Sequence, residues 1–167
     1  MIDWRFLPDS LSIKKGSDLM KRTGIALAVL LLGAGIAGAQ QDLVATRIQL
    51  MKDNGKSMAA FAQMAKGEKP YDQATVDSSL TKLEAAAKKL PTLYPASTKD
   101  VQTEEKYTAS SKVWENKADF ESHIAKLGKV VADNKGKITS LDTLKAAIPQ
   151  FGDSCKGCHE TYRIKKS

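Results

Sequence analysis

Four stretches of this chain place apolar residues at alternating steps of four and three, the spacing that sets one side chain per turn on a single helix face. In the first, Val44, Ile48, Met51, Gly55, Met58, Ala62 and Ala65 follow the step, and Gly67 supplies a C-terminal stop. The second runs through Val76, Leu80, Leu83, Ala87 and Leu90 until Pro91 ends it. Val113, Lys117, Phe120, Ile124, Leu127 and Val131 carry the third, with Trp114 beside it and Asn134 to Gly136 closing it. Lys117 interrupts that stripe, and its aliphatic stem is expected to cover apolar surface while the ammonium reaches water. The fourth opens at Thr139 or Ser140, both good helix caps, and takes in Leu141, Leu144, Ile148, Phe151, Cys155, Cys158 and Tyr162. Pro149 lies inside it and predicts a kink or a restart. Between the second and third, Pro91 to about Thr103 reads as a long connection rich in turn residues. Four amphipathic helices without strand-like alternation predict an all-α fold, an antiparallel four-helix bundle whose core can hold a cofactor. The segments share a step but not a sequence, so they are not an internal repeat.

The bundle does not begin at Met1. Met20-Lys21-Arg22 makes a basic start, Gly24 to Ile36 an apolar run, and Ala37-Gly38-Ala39 a small-residue cleavage site before Gln40. This is the order of a secretory signal peptide over residues 20–39, since the apolar run is shorter than the ~20 residues that span a bilayer. Residues 1–19 fit no part of a leader and read as an upstream extension. The mature chain is expected to be residues 40–167, one domain with a charge of +5 from 21 Lys/Arg and 16 Asp/Glu. Its lysines are spread along every segment without an aromatic-interleaved cluster, so they read as solvated helix faces. Neither nucleic acid nor stable membrane insertion after leader removal is expected as a partner.

The chain has two cysteines, and both fall in Cys155-Lys156-Gly157-Cys158-His159, the C-x-x-C-H pattern of covalent haem attachment. Residues three apart share a helix face, so both sulfurs can meet one edge of a porphyrin while His159 approaches its iron. An export signal agrees with that chemistry. A C-x-x-C pair also serves thiol redox enzymes, but there it sits at a helix start after a strand, in an α/β setting foreign to this helical chain. A zinc site needs more ligands than the cluster offers.

With that motif on the last of four helices, followed by Tyr162-Arg163, the chain resembles the class II c-type cytochromes, that is, cytochrome c′ and its low-spin relatives. Arg47-Ile48-Gln49-Leu50-Met51-Lys52 in the first helix and Val113-Trp114 with Phe120 in the third extend the resemblance across the mature chain. It implies one covalent haem c held by Cys155 and Cys158, with His159 as one iron ligand. It also implies that Met51 faces the iron from the other side, either ligating through sulfur or only covering the open face. Gly55, one turn later, costs about 1 kcal/mol of helix propensity relative to alanine. Its missing side chain reads as room for the haem plane or as a close helix approach.

The other candidates are less specific. Arg47 could pair with a haem propionate or be a solvated cation, and Arg163 could cover the haem edge or only complement the helix dipole. His123, on the margin of its stripe, reads as a surface histidine before an iron ligand. Met58, Met64 and Trp114 read as packing. The function expected is single-electron transfer with His159–Met51 ligation in the periplasm, with redox proteins as partners. The alternative is a five-coordinate binder of nitric oxide or carbon monoxide. An enzyme is not expected, because the chain offers no nucleophile–base set, no paired carboxylates and no phosphate-cradling loop. Both a monomer and a homodimer are compatible with the sequence.

Overall fold

The computed structural model describes the backbone of residues 16–166 and the side chains of residues 38–166. The chain divides into two units, Met1–Gly38 and Ala39–Ser167, and the bundle is the second. The expected extension over 1–19 and leader over 20–39 fall, but for Gly38 and Ala39, outside the residues whose side chains are described. Among the described residues no helix is long and apolar enough to cross a membrane.

Four helices build the bundle: α1 (Gly16–Ala65), of which the part from Ala39 on belongs to it, α2 (Gln73–Lys89), α4 (Lys117–Asn134) and α5 (Leu141–Tyr162), with a one-turn α3 (Lys112–Glu115) ahead of α4. Their boundaries follow from local chemistry. Gly67 and Gly136 close α1 and α4 at φ of 77° and 76°, where a Cβ is strained. Asp72 caps α2 by accepting the Thr75 N–H at 2.9 Å. Ser140 and Thr143 make a reciprocal capping box at the start of α5. Pro91 sits in the first turn of the 3₁₀ segment Leu90–Leu93 that follows α2.

The core forms two clusters. Phe61, Leu80, Leu83, Val131, Leu144 and Phe151 centre the first, with the Phe61 and Phe151 rings 5.8 Å apart. Leu90, Leu93, Tyr94, Val113, Phe120, Ile124 and Tyr162 form the second, nearer the C-terminus of α5.

Several expectations are corrected. The third segment is not one helix: Asn116 takes φ −128° and ψ 59° between α3 and α4. The break resets the register, so Lys117 leaves the stripe and pairs with Glu121 at 2.8 Å on the exposed side. The fourth helix continues through Pro149 without a restart. Pro149 and Lys145 are both exposed, so the carbonyl deprived of its donor can meet water. A strand pair was not expected. β1 (Tyr107–Ala109) lies antiparallel to β2 (Arg163–Lys165), with Thr108 opposite Ile164, and so ties the long connection to the chain's end.

Candidate functional site

Helix α1 turns a different face to the protein than its apolar pattern suggests. Among the described residues its buried positions are Val44, Arg47, Asn54, Ser57, Phe61 and Met64. Ile48, Met51, Gly55 and Met58, all on the apolar stripe, line a cavity of about 500 Å³. The other walls come from Phe120, His123, Ile124 and Leu127 of α4, from Ser154, Cys155, Cys158, His159 and Tyr162 of α5, and from the segment Thr103–Ala109. The apolar stripe of α1 therefore serves a bound group as much as the protein's own core.

Both cysteines are half-buried, not fully buried as the stripe implied. Burial raises the Cys155 thiol, and burial followed by the neighbouring Cys155 and Asp119 pushes Cys158 up to about 11. These thiols are protonated at neutral pH. They lie in the last two turns of α5, where the helix dipole disfavours a thiolate. A thiol redox pair has its cysteine at a helix start with a lowered pKa, so this environment is the reverse of that chemistry. His159 is half-buried, and burial together with Arg163 lowers its pKa and keeps the imidazole neutral, the form that binds a metal. Among the described residues no three His, Cys, Asp or Glu side chains gather to hold a metal ion.

Arg47 is 5% exposed. Its guanidinium donates to Thr98 Oγ1 at 3.3 Å and lies 4.8 Å from the Tyr94 ring centre and 5.7 Å from that of Trp114. Desolvation lowers its pKa, the direction burial without an anionic partner dictates. Arg163 is exposed at the cavity mouth, 4.6 Å over the Tyr107 ring. Gly55 resolves one choice left by the sequence. A Cβ there would meet nothing within 4 Å, so no helix presses against it, and its open side is the cavity.

Two packing expectations are corrected. Met58 lines the cavity and does not only pack, whereas Met64 is buried in the first cluster with its sulfur 3.4 Å from the Asp72 N–H. His123 is not a plain surface histidine, because it lines the cavity beside Gly157, where a Cβ would sit 3.6 Å from its ring. Trp114 is half-buried against Tyr94 and donates to the Pro95 carbonyl at 3.0 Å. The residues missed from the sequence are Tyr94, Ser154 and the strap Thr103–Ala109. Nothing in a three-residue strand announces its partner.

A haem fits these walls. It needs an apolar slot, two thiols and an imidazole on one wall, and a cation for its propionates. The cavity has each: Cys155, Cys158 and His159 from one helix end, the apolar stripe of α1, and the buried Arg47. The Ser154 hydroxyl, buried on the same wall, has no hydrogen-bond partner within the protein.

Comparison with known proteins bears on the same wall set. Residues 42–163 match the family described as Cytochrome C′. Cytochrome c-556 of Rhodopseudomonas palustris is 47% identical over 148 residues, 88% of this chain and 99% of that protein. Cytochrome c′ of the same species is 38% identical over 146 residues, 87% of this chain and 98% of that one. The NMR-validated structural model for oxidised R. palustris cytochrome c556 superposes with a TM-score of 0.68 over 76% of this chain and 99% of that one.

Proposed function

The chain belongs to the cytochrome c′ family, and from that premise we propose that it is an exported single-electron carrier whose iron is ligated by His159 and Met51. As a family member it is a monohaem c-type cytochrome with one covalent haem c. The observation that carries the finer reading is that one cavity is lined both by Cys155, Cys158 and His159 and by Met51. In this reading Cys155 and Cys158 would hold the haem through two thioether links and the neutral imidazole of His159 would offer a nitrogen to its iron. Met51 offers the sulfur. Arg47 meets a propionate, which gives its buried charge the counter-ion it otherwise lacks. Arg163 covers the edge with Tyr107. When bound, the haem supplies an iron that gains and loses one electron, and a thioether opposite an imidazole raises its reduction potential.

The export reading completes the proposal. Residues 20–39 act as a leader, residues 40–167 are the mature periplasmic chain, and residues 1–19 are an upstream extension. Redox proteins are the partners such a carrier requires.

The test is the optical spectrum of the oxidised protein and its variants. The wild type is expected to be low-spin with the weak charge-transfer band of methionine ligation. Met51→Ala is expected to turn the iron high-spin and open it to carbon monoxide. Met58→Ala is the critical control, since Met58 shares the cavity, and it and Met64→Ala are expected to keep the low-spin spectrum. A wild type that is already high-spin would replace this reading with the five-coordinate gas binder. Loss of the low-spin spectrum in Met58→Ala but not in Met51→Ala would move the sulfur ligand to Met58.

A further inference from the structure

Four aromatic rings of the second core cluster touch in series. The centre of Trp114 lies 6.2 Å from that of Tyr94, Tyr94 lies 4.8 Å from Phe120, and Phe120 lies 5.1 Å from Tyr162. Tyr162 is 4% exposed, belongs to the cluster against which Cys158 packs, and lines the cavity. Its hydroxyl donates to Asp119 Oδ2, and His123 Nε2 stands 3.6 Å from that same oxygen with its ring edge-on to Tyr162 at 5.7 Å.

The four tyrosines of the chain are not equivalent toward oxidation, because a phenol that loses an electron must also lose its proton. Tyr71 donates to the neutral amide oxygen Gln73 Oε1 at 2.6 Å and packs with the far cluster. Tyr94 and Tyr107 each carry cations over the ring, Arg47 at 4.8 Å in one case and Arg163 at 4.6 Å and Lys106 at 5.7 Å in the other. A positive charge there opposes removal of an electron. Tyr162 is the one whose hydroxyl donates to a carboxylate among the described residues.

We propose that Tyr162 is a redox-active tyrosine: when hydrogen peroxide takes the place of the Met51 sulfur and oxidises the haem beyond its ferric state, Tyr162 gives that oxidant one electron while its phenolic proton passes to Asp119. The inference rests on the haem occupying the cavity as read above. The Tyr162 O–H bond breaks and an O–H bond forms on Asp119 Oδ2. The oxidant gains the electron, and a neutral phenoxyl beside a neutral carboxylic acid remains. The hydrogen bond that Tyr162 donates pushes its pKa up to about 12, so no phenolate is available and electron and proton must leave together. The device drains oxidising equivalents into a ring held in the core, away from Met51 and the thioethers.

The experiment treats the haem-loaded protein and its Met51→Ala variant, whose iron is open, with hydrogen peroxide after their loading is read from the absorption spectrum, and follows rapidly frozen samples by electron paramagnetic resonance. A tyrosyl signal is expected, narrowed when the protein is grown on ring-deuterated tyrosine and lost in Tyr162→Phe. Asp119→Asn, at a half-exposed position, is expected to reduce the signal to the level of Tyr162→Phe while the haem spectrum stays unchanged. A signal that survives Tyr162→Phe, a tryptophanyl signal, or full signal in Asp119→Asn would overturn the proposal. So would a loaded Met51→Ala protein that forms no protein radical. A preparation without haem absorption would instead overturn the haem reading together with this one, and the first measurement tells the two failures apart.

Discussion

At Arg47 the chain buries a permanent cation behind two aromatic rings with a single 3.3 Å hydrogen bond to Thr98, an arrangement that costs several kcal/mol unless an anion is added. In the proposed reading a haem propionate in the cavity that Arg47 lines supplies that counter-charge. Glycine gives a second residue-level case. A Cβ at either Gly55 or Gly152 would have no neighbour within 4 Å, yet Gly55 lines the cavity and Gly152 faces solvent on α5. Gly152→Ala is therefore expected to raise stability by roughly 0.5–1 kcal/mol through helix propensity alone, with the haem spectrum unchanged. Gly55→Leu is expected to cut the yield of haem-loaded protein, measured as haem absorbance per total protein, because its side chain enters the slot.

The elements are held to one another by few ionic ties, and the best defined is between α2 and the end of α4. Glu84 of α2 accepts from Lys88 at 2.6 Å on its own helix and from Lys135 at 2.5 Å at the C-cap of α4. These hydrogen bonds, Lys135 first, hold its carboxyl at about 2 instead of 4.5. A folded-state pKa below the unfolded one gives stability that is complete above pH 4.5 and lost as pH falls toward 2. Glu84→Gln is expected to flatten that stretch of the stability–pH curve, measured by urea unfolding at successive pH values, and to leave the curve above it parallel to wild type. The effect is small, since the group is solvent-exposed and screened. The α3–α4 break shows a different limit at this scale. The four-three step from Val113 to Phe120 passes through Lys117 and does not mark the turn at Asn116, on either side of which Trp114 and Phe120 pack into one cluster with Tyr94.

Over the whole molecule the two clusters divide the work. The first, around Phe61 and Phe151, touches the cavity through Leu127 and the flanking Met58, while the second shares Leu90, Tyr94, Phe120, Ile124 and Tyr162 with it. Phe151 is fully buried, so Phe151→Ala is expected to cost about 3–5 kcal/mol in chemical denaturation. The visible spectrum of the folded variant is expected to match wild type. This division also separates what could be read in advance from what could not. The apolar step, the cap at Ser140 and the Cys155-Lys156-Gly157-Cys158-His159 motif are local: helix period, orphan backbone donors and thiol spacing act within a few residues, so the four helical stripes and the covalent chemistry were legible in the sequence, whereas the cap at Asp72 was not picked out. The tertiary structure alone decided which side of each stripe meets protein and which meets the cavity. A helix pattern marks a face that leaves water but not what covers it, and Ile48, Met51 and Met58 look the same in either setting. It alone also buried Arg47, tied Tyr107–Ala109 to Arg163–Lys165, and set Tyr162 against Asp119, 43 residues earlier. Those pairings join segments far apart in the chain, and their register follows from how the helices pack, which no local propensity encodes.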